Sequence, residues 1–202
     1  MPPVTGALLG ANVLVFVLQL AGGLPLVENF ALWPPVTSGP PRAGPDFELW
    51  QLLSYSFLHG SLLHLMFNML ALYTFGRDLE RLFGSSWYLQ FYLASVVAAA
   101  LSHLVVTGWM GAPPYPTVGA SGGVYGLLLA YGIYFPRRTV ILLFPPIPLP
   151  ARVFVALFAA LELYFGVTGT VAGVAHFAHL GGMLGGWLMI RSRGRRRRQD
   201  RV

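Results

Sequence analysis

Long apolar stretches, separated by polar or Pro- and Gly-rich breaks, run along most of this chain. A helix that crosses about 30 Å of hydrocarbon needs roughly 20 mostly apolar residues. Six stretches approach that length, and we predict spans near Thr5–Leu24, Ser61–Phe75, Trp87–Thr107, Gly119–Phe135, Arg152–Val167 and Val174–Ile190. The pattern therefore predicts an all-α, polytopic membrane protein in which residues 1–190 form a six-helix bundle.

The composition excludes an ordinary soluble domain. Hydrophobic residues make up 55 % of the 202 residues and charged residues only 10 %, whereas a soluble domain carries about 25 % charged residues. The chain contains no cysteine, which excludes disulfides, thiolate metal sites and a cysteine nucleophile. We expect no cofactor and no bound metal.

The positive charge of the chain lies almost entirely in its last residues. All 13 basic residues are arginine; seven of them and one aspartate lie in residues 191–202, so this segment holds the whole net charge of +6. A nucleic-acid partner requires a basic folded face, and residues 1–190 are neutral. We predict instead a disordered, Arg-rich cytoplasmic tail that lies against anionic lipids of the inner leaflet.

The arginines also predict the orientation of the bundle. Twelve of the 13 lie between spans two and three, between spans four and five, or after span six, while Arg42 alone lies on the opposite side. The positive-inside rule therefore places both termini in the cytoplasm. The long Pro-rich segment at about residues 25–58 becomes an outer loop, and its aromatic residues favour the membrane interface over a fully solvated loop.

Polar residues inside spans are costly and indicate function by default. The orientation places three groups of them at similar depth in the outer leaflet: His64 and Asn68 in span two, Ser121 in span four, and His179 in span six. This convergence of a serine, two histidines and an asparagine predicts a site that opens toward the outer side.

Ser121 lies in the sequence Gly119-Ala120-Ser121-Gly122-Gly123, at the first turn of span four. Flanking glycines leave room for a substrate carbonyl, and the free N–H groups of a helix N-terminus stabilise an oxyanion. The alternative is that these small residues serve only close helix packing. A nucleophile elbow of the Gly-x-Ser-x-Gly type is excluded because it needs a strand before the helix.

His179 is followed by glycines at 181, 182, 185 and 186. Such a face lets span six approach span four closely and bring His179 to Ser121 as a general base. Tyr125, one turn after Ser121, is expected to support the imidazole. No acid is placed near His179, so we predict a dyad rather than a triad.

His64 and Asn68 are spaced four residues apart and share one face of span two. Both side chains can donate hydrogen bonds to a developing oxyanion, although a histidine bonded between helices explains His64 equally well. The other histidines receive other interpretations. His59 either lines the same entrance or, as we prefer, lies at the membrane interface, His176 is a cap or rim residue near water, and His103 is a structural contact.

Two acidic residues, Glu162 and Glu80, lie in or next to the predicted spans. Glu162 lies well inside span five, and the sequence assigns it no role. Glu80 lies at the centre of a Gly-x-x-x-Glu-x-x-x-Gly pattern in a cytoplasmic turn, where we expect it to pair with Arg77 and Arg81.

Taken together, these residues resemble the rhomboid family of intramembrane serine proteases, in the compact six-span form typical of prokaryotes. The matching motifs are His59-x4-His64-x3-Asn68 in span two, Gly119-Ala120-Ser121-Gly122 with Tyr125 in span four, and Ala178-His179 followed by Gly182 and Gly186 in span six. One departure concerns the first loop, where Gln51 follows Trp50 in place of the family's arginine and puts the usual anchoring of that loop in doubt.

The resemblance implies that Ser121 is the nucleophile, that His179 is the base, and that His64, Asn68 and the Ser121 N–H hold the oxyanion. It implies cleavage of single-span membrane proteins near the outer end of their helix, in the plasma membrane of a prokaryote. Two alternatives remain: an inactive rhomboid-like protein that binds clients, and a transporter that uses His59, His64, His176 and His179 as ligands.

Overall fold

The computed structural model describes residues 1–22, 25–35, 45–110, 115–143, 145–170 and 175–199. The chain is predominantly helical, which confirms the all-α class. The helices are α1 (Pro3–Leu20), α2 (Leu26–Phe30), α3 (Gln51–Ser54), α4 (Leu62–Ala71), α5 (Arg77–Phe83), α6 (Ser85–Met110), α7 (Ser121–Tyr134), α8 (Ala151–Thr168) and α9 (His176–Gln199). A short antiparallel hairpin of β1 (Thr139–Ile141) and β2 (Pro148–Pro150) joins α7 to α8.

Three of these helices are long and apolar enough to cross a membrane: α1, α8 and residues Ser85–Trp109 of α6. The predicted second span corresponds to α4, which continues through a π-helical turn at Leu72–Gly76 into α5. The predicted fourth span corresponds to α7, which has only 14 residues. The count of six spans stays a prediction.

Glycines bring α9 into close contact with two helices at once. A Cβ added at Gly182 would collide with the backbone of Gly122 in α7, and one at Gly186 would lie 3.2 Å from the Cα of Gly126. The alternate pair, Gly181 and Gly185, faces α6 instead. Because each small-xxx-small pair packs on a different neighbour, α6, α7 and α9 form the centre of the bundle.

Glu80 fastens the beginning of α1 to α5. Its buried carboxylate accepts hydrogen bonds from the N–H of Val4 at 2.9 Å, from the N–H and hydroxyl of Thr5, both at 2.7 Å, and from Ser85 at 2.6 Å. The carboxylate satisfies N–H groups that the first turn of a helix leaves free. The expected pairing of Glu80 with Arg77 and Arg81 is therefore wrong, since its acceptor capacity is used elsewhere.

We expect Glu80→Gln to lower the free energy of unfolding by about 2–3 kcal/mol, because an amide replaces a charged acceptor that serves four donors. Thermal unfolding in detergent measures the effect. Glu48→Gln, at an exposed position, is the matched control and should change the stability little. Equal destabilisation by both substitutions would contradict this account of the α1–α5 contact.

Asp78 takes the arginine partners instead and joins two segments that are distant in sequence. Its carboxylate lies 2.5 Å from Arg138, which precedes the β1–β2 hairpin, and 3.6 Å from Arg81. Arg193 of α9 stacks over Trp87 at the beginning of α6, 4.3 Å from the ring centroid. Arginines from three segments therefore lie at one end of the bundle.

The last helix, α9, continues to Gln199 and so includes most of the Arg-rich segment 191–202. Its packing against the core extends to Met189 and Ile190, and disorder of the tail stays a prediction. Arg42, the one arginine predicted on the outer side, lies outside the described residues.

Gln51 anchors the described part of the outer loop. Its side chain is buried, accepts a hydrogen bond from the Trp33 N–H at 3.1 Å and donates to the Asp46 carbonyl at 3.3 Å. Tyr55 is also buried and donates to the Val96 carbonyl at 2.9 Å. Gln51 therefore anchors the loop through its hydrogen bonds, although it replaces the arginine on which the family's usual anchoring depends. Of the loop's aromatic residues, Trp50 is exposed, whereas Trp33 and Tyr55 belong to the interior.

Candidate active site

Ser121 and His179 meet across the α7–α9 contact. Ser121 is the first residue of α7, and His179 lies in the first turn of α9. The two atoms Ser121 Oγ and His179 Nε2 are 2.8 Å apart, a hydrogen-bond distance. The close approach of Gly182 to Gly122 places these side chains within reach of each other.

The imidazole of His179 is held from one side by Tyr125. The two rings are parallel within 3°, with centroids 4.2 Å apart. Tyr125 lies one helical turn after Ser121, so a single face of α7 supplies the serine and the ring against which the imidazole rests. This stacking restricts the rotation of the His179 ring.

The structure places an acid beside His179, so the expectation that none lies there is wrong. Glu162 of α8 has Oε1 at 3.0 Å from His179 Nδ1 and Oε2 at 2.6 Å from His176 Nδ1. Tyr125 donates its hydroxyl proton to the same carboxylate. The His179 contact is close, but its geometry falls outside that of a regular hydrogen bond.

His176 also differs from the prediction. It is buried against Glu162 instead of lying at a water-exposed rim. The sequence did not predict the contact between Glu162 and His176 because the two residues lie on different helices. The periodicity within one helix does not show how that helix is rotated relative to its neighbour. One feature of the sequence did indicate such a contact. A carboxyl group inside an apolar span is so unfavourable that it is expected to have hydrogen-bond or charged partners.

His64 and Asn68 lie on α4, opposite the beginning of α7. Asn68 is buried and donates from Nδ2 to the His64 carbonyl at 3.0 Å. Gly119 has a φ of +127°, and a Cβ there would lie 2.7 Å from His64 Cε1. Both the backbone angle and the space favour glycine, which lets the His64 ring lie against the residues just before Ser121.

A cavity of about 990 Å³ joins these side chains to the space between α4, α7 and α8. Its polar end carries His64, Asn68, Ser121 and His179. Most of the remaining lining is apolar and includes Phe67, Phe75, Leu128, Phe154 and Phe158. An apolar cavity with polar groups gathered at one end is typical of a substrate site.

Two further histidines lie near the site without contacting Ser121. His59 is buried, with its ring centroid 5.0 Å from that of His64, so its interpretation as an interface residue is wrong. His103 Nε2 lies 2.7 Å from the Thr117 hydroxyl, which agrees with a structural contact.

Within the described ranges, the residues with metal-ligand chemistry that gather are Glu162, His176 and His179, whose potential ligand atoms lie within 4.8 Å of one another. At zinc bond lengths of about 2.0–2.1 Å, two tetrahedral ligands lie roughly 3.3 Å apart. The His176–Glu162 separation of 2.6 Å is instead that of a charge-assisted hydrogen bond.

Comparison with known proteins finds similarity to one family, the rhomboids. A sequence model of the rhomboid domain matches residues 46–196. Rhomboid protease GluP of Bacillus subtilis is 29 % identical over 73 % of this chain and 26 % of its own length. Rhomboid protease GlpG of Pectobacterium atrosepticum is 28 % identical over 93 % of this chain and 61 % of its own length.

A plant protein, RHOMBOID-like protein 4 of Arabidopsis thaliana, is 34 % identical over 70 % of this chain and 33 % of its own length. The chain therefore spans from about a quarter to three fifths of the length of these relatives. The matched region contains α4 to α8 and all but the last three residues of α9, and these helices carry every side chain of the candidate site.

Proposed function

Because this chain belongs to the rhomboid family, we propose that it is an intramembrane serine endopeptidase that cleaves single-span membrane proteins near the outer end of their helix. The observation that carries the proposal is the 2.8 Å approach of His179 Nε2 to Ser121 Oγ at the polar end of an apolar cavity. A nucleophile within hydrogen-bond reach of a base is the arrangement that acyl transfer requires.

The reaction proceeds in two steps. Ser121 Oγ attacks the scissile carbonyl carbon while His179 Nε2 accepts the hydroxyl proton, and a tetrahedral oxyanion forms. The intermediate collapses to an acyl-enzyme when the carbon–nitrogen bond breaks and His179 donates its proton to the leaving amine. Water then attacks the ester carbonyl and gives a proton to His179, which returns it to Ser121 as the carboxylic acid leaves.

The oxyanion is stabilised by donors on two helices. The N-terminus of α7 directs the Ser121 N–H and a partial positive charge toward the site. Across the cavity, His64 and Asn68 line the same polar end and supply side-chain donors. Donors that are in place before the reaction stabilise the charge only as it develops, so they raise kcat more than they lower KM.

The substrate enters from the lipid side. The cavity reaches between α4 and α8, where Phe67, Phe154 and Phe158 present an apolar surface to a transmembrane segment. A peptide bond inside a helix is shielded by its neighbours, so the segment has to unwind locally before Ser121 reaches it. Movement of α8 admits the segment, and water enters from the outer side.

The orientation follows from the charge. Asp78, Arg81, Arg138 and Arg193 gather at the end of the bundle opposite Ser121, which supports a common cytoplasmic side with both termini there. The site then faces the outer side of a plasma membrane. The Arg-rich segment 191–202 binds anionic lipids of the inner leaflet, at about 1 kcal/mol for each arginine near the surface.

Reconstitution in liposomes with a labelled single-span substrate tests this function, with and without a chelator. A serine protease yields two defined products at the same rate in both conditions. Binding without cleavage would favour a client-binding protein, and cleavage or uptake that the chelator abolishes would favour a metal-dependent or transport function. Either result would overturn the proposal.

We expect Asn68→Ala to lower kcat by about 10- to 1,000-fold with little change in KM, because an oxyanion donor acts mainly in the transition state. Asn12→Ala is the matched control: Asn12 is also buried and donates to the carbonyl four residues before it, at 2.7 Å, but on α1. Steady-state kinetics on liposomes measure both. Equal losses of kcat would contradict the role of Asn68.

A further inference from the structure

Glu162 is a buried carboxyl group that the two-residue mechanism leaves unused. It lies within the apolar helix α8 and is 8 % exposed. A buried carboxylate costs several kcal/mol unless it is paired and hydrogen-bonded, and each contact described for Glu162 leads toward the candidate site: to Tyr125, His176 and His179.

We propose that Glu162 is a positioning residue that completes a Ser121–His179–Glu162 triad; this inference rests on the proposed function. The carboxylate holds the proton of His179 on Nδ1 and orients the ring, so that the Nε2 lone pair faces Ser121. It also stabilises the imidazolium that forms when His179 accepts the serine proton.

The two ring nitrogens of His179 have different neighbours, and these determine the tautomer. Nε2 lies 2.8 Å from Ser121 Oγ, and Nδ1 lies 3.0 Å from Glu162 Oε1. A neutral imidazole carries one N–H, and an ionised carboxylate can only accept a hydrogen bond. A carboxylate beside Nδ1 therefore favours the proton on that nitrogen and leaves Nε2 as the acceptor that a general base requires.

The carboxylate is itself held in place from both sides. Tyr125 donates to Oε1, and His176 contacts Oε2 at 2.6 Å. Tyr125 thus acts twice, since its ring also stacks on His179. With both oxygens engaged, Glu162 has little freedom to rotate away from Nδ1, which is how a supporting contact keeps a catalytic group within the narrow geometry that reaction demands.

Three helices supply the triad: α7 carries Ser121, α9 carries His179 and α8 carries Glu162. The α7–α9 contact is fixed by glycines, whereas Glu162 depends on the position of α8. The contact between His179 Nδ1 and Glu162 Oε1 is close but lacks the geometry of a regular hydrogen bond, and hydrogen bonds in free enzymes often align only with substrate bound.

The kinetic test replaces Glu162 by glutamine, which keeps the size and removes the charge. We expect kcat to fall about 100- to 10,000-fold with KM changed less than threefold, and Glu162→Asp to recover part of the loss. In a His179→Ala background, Glu162→Gln should cause no further loss, because a residue that acts through His179 has nothing left to position.

Glu80→Gln is the matched control for loss of a buried carboxyl group, since Glu80 lies at the opposite end of the bundle from Ser121. It should lower the unfolding temperature and leave the kcat of the folded protein unchanged. A merely structural Glu162 would behave in the same way. That result, or a further loss in the His179→Ala background, would overturn the triad.

A spectroscopic readout separates this inference from the proposed function. In ¹⁵N NMR spectra of histidine-labelled protein, the His179 signal, assigned from its loss in His179→Ala, should show a protonated Nδ1 and an unprotonated Nε2. Glu162→Gln should give a mixture of the two tautomers. An unprotonated Nδ1 in the wild type would overturn the triad even if Ser121 cleaves substrate, and absence of cleavage with a protonated Nδ1 would overturn only the proposed function.

Discussion

Replacement of Ser121 by alanine is expected to abolish peptide-bond cleavage, with a fall in kcat of about a millionfold, because removal of the nucleophile of a serine protease has an effect of this size. The substitution deletes one hydroxyl group at the first residue of α7 and leaves the glycine contacts with α9 in place. Binding of the substrate and the unfolding temperature should therefore change little. Single-turnover assays on liposomes, with product detection by mass spectrometry, measure the loss.

Ser95→Ala is the matched control for this experiment. Ser95 is fully buried in α6, where its hydroxyl donates to the Phe91 carbonyl at 2.9 Å, so its replacement also removes a buried hydroxyl from the centre of the bundle. It should retain cleavage within a few-fold of wild type. If Ser121→Ala retained cleavage, or if both variants lost it equally, Ser121 would not be the nucleophile.

The second large effect is expected from Gly182→Ala in the α7–α9 contact. A methyl group at this position would collide with the backbone of Gly122, and backbone cannot give way as the end of a flexible side chain can. Separation of α9 from α7 costs about 1–3 kcal/mol of stability and moves His179 away from Ser121. Since a shift of about 1 Å can cost 100-fold in rate, we expect activity to fall at least that far, even in the folded fraction.

Gly194→Ala, on the same helix, is the control. A Cβ at Gly194 meets nothing within 4 Å, so alanine should stabilise the helix by about 0.5–1 kcal/mol or leave it unchanged. Thermal unfolding in detergent and cleavage in liposomes, measured on both variants, separate packing from the general effect of alanine. Wild-type activity in Gly182→Ala would show that the close contact does not position the pair.

The sequence predicted much of the bundle because the relevant signals are local. The length of apolar stretches predicts helices, and depth along each span predicts the level of a side chain. The asymmetry of the arginines predicts an orientation, which stays a prediction. These three signals place Ser121, His179, His64 and Asn68 in one layer, and the glycines after His179 indicate which helices approach closely. The structure brings Ser121 and His179 to 2.8 Å.

What the sequence could not predict is the rotation of one helix relative to another. Glu162 lies 14 residues before His176 on a separate helix, and nothing in the sequence around it shows that His176 and His179 both contact its carboxylate. The same limit explains Glu80, whose partners are the backbone of α1 and Ser85 and not the nearby arginines. Gln51 likewise anchors the outer loop through Trp33 and Asp46, partners that only the folded chain identifies.

If His179 activates Ser121 as a nucleophile, the Ser121 hydroxyl should react with a covalent serine probe. A fluorophosphonate reacts with an activated serine, forming an oxygen–phosphorus bond with loss of fluoride, and peptide mass spectrometry locates the adduct. We predict a stoichiometric label on Ser121 that disappears in Ser121→Ala and slows at least 1,000-fold in His179→Ala. A label on another serine, or labelling of Ser121 at an unchanged rate without His179, would contradict the account.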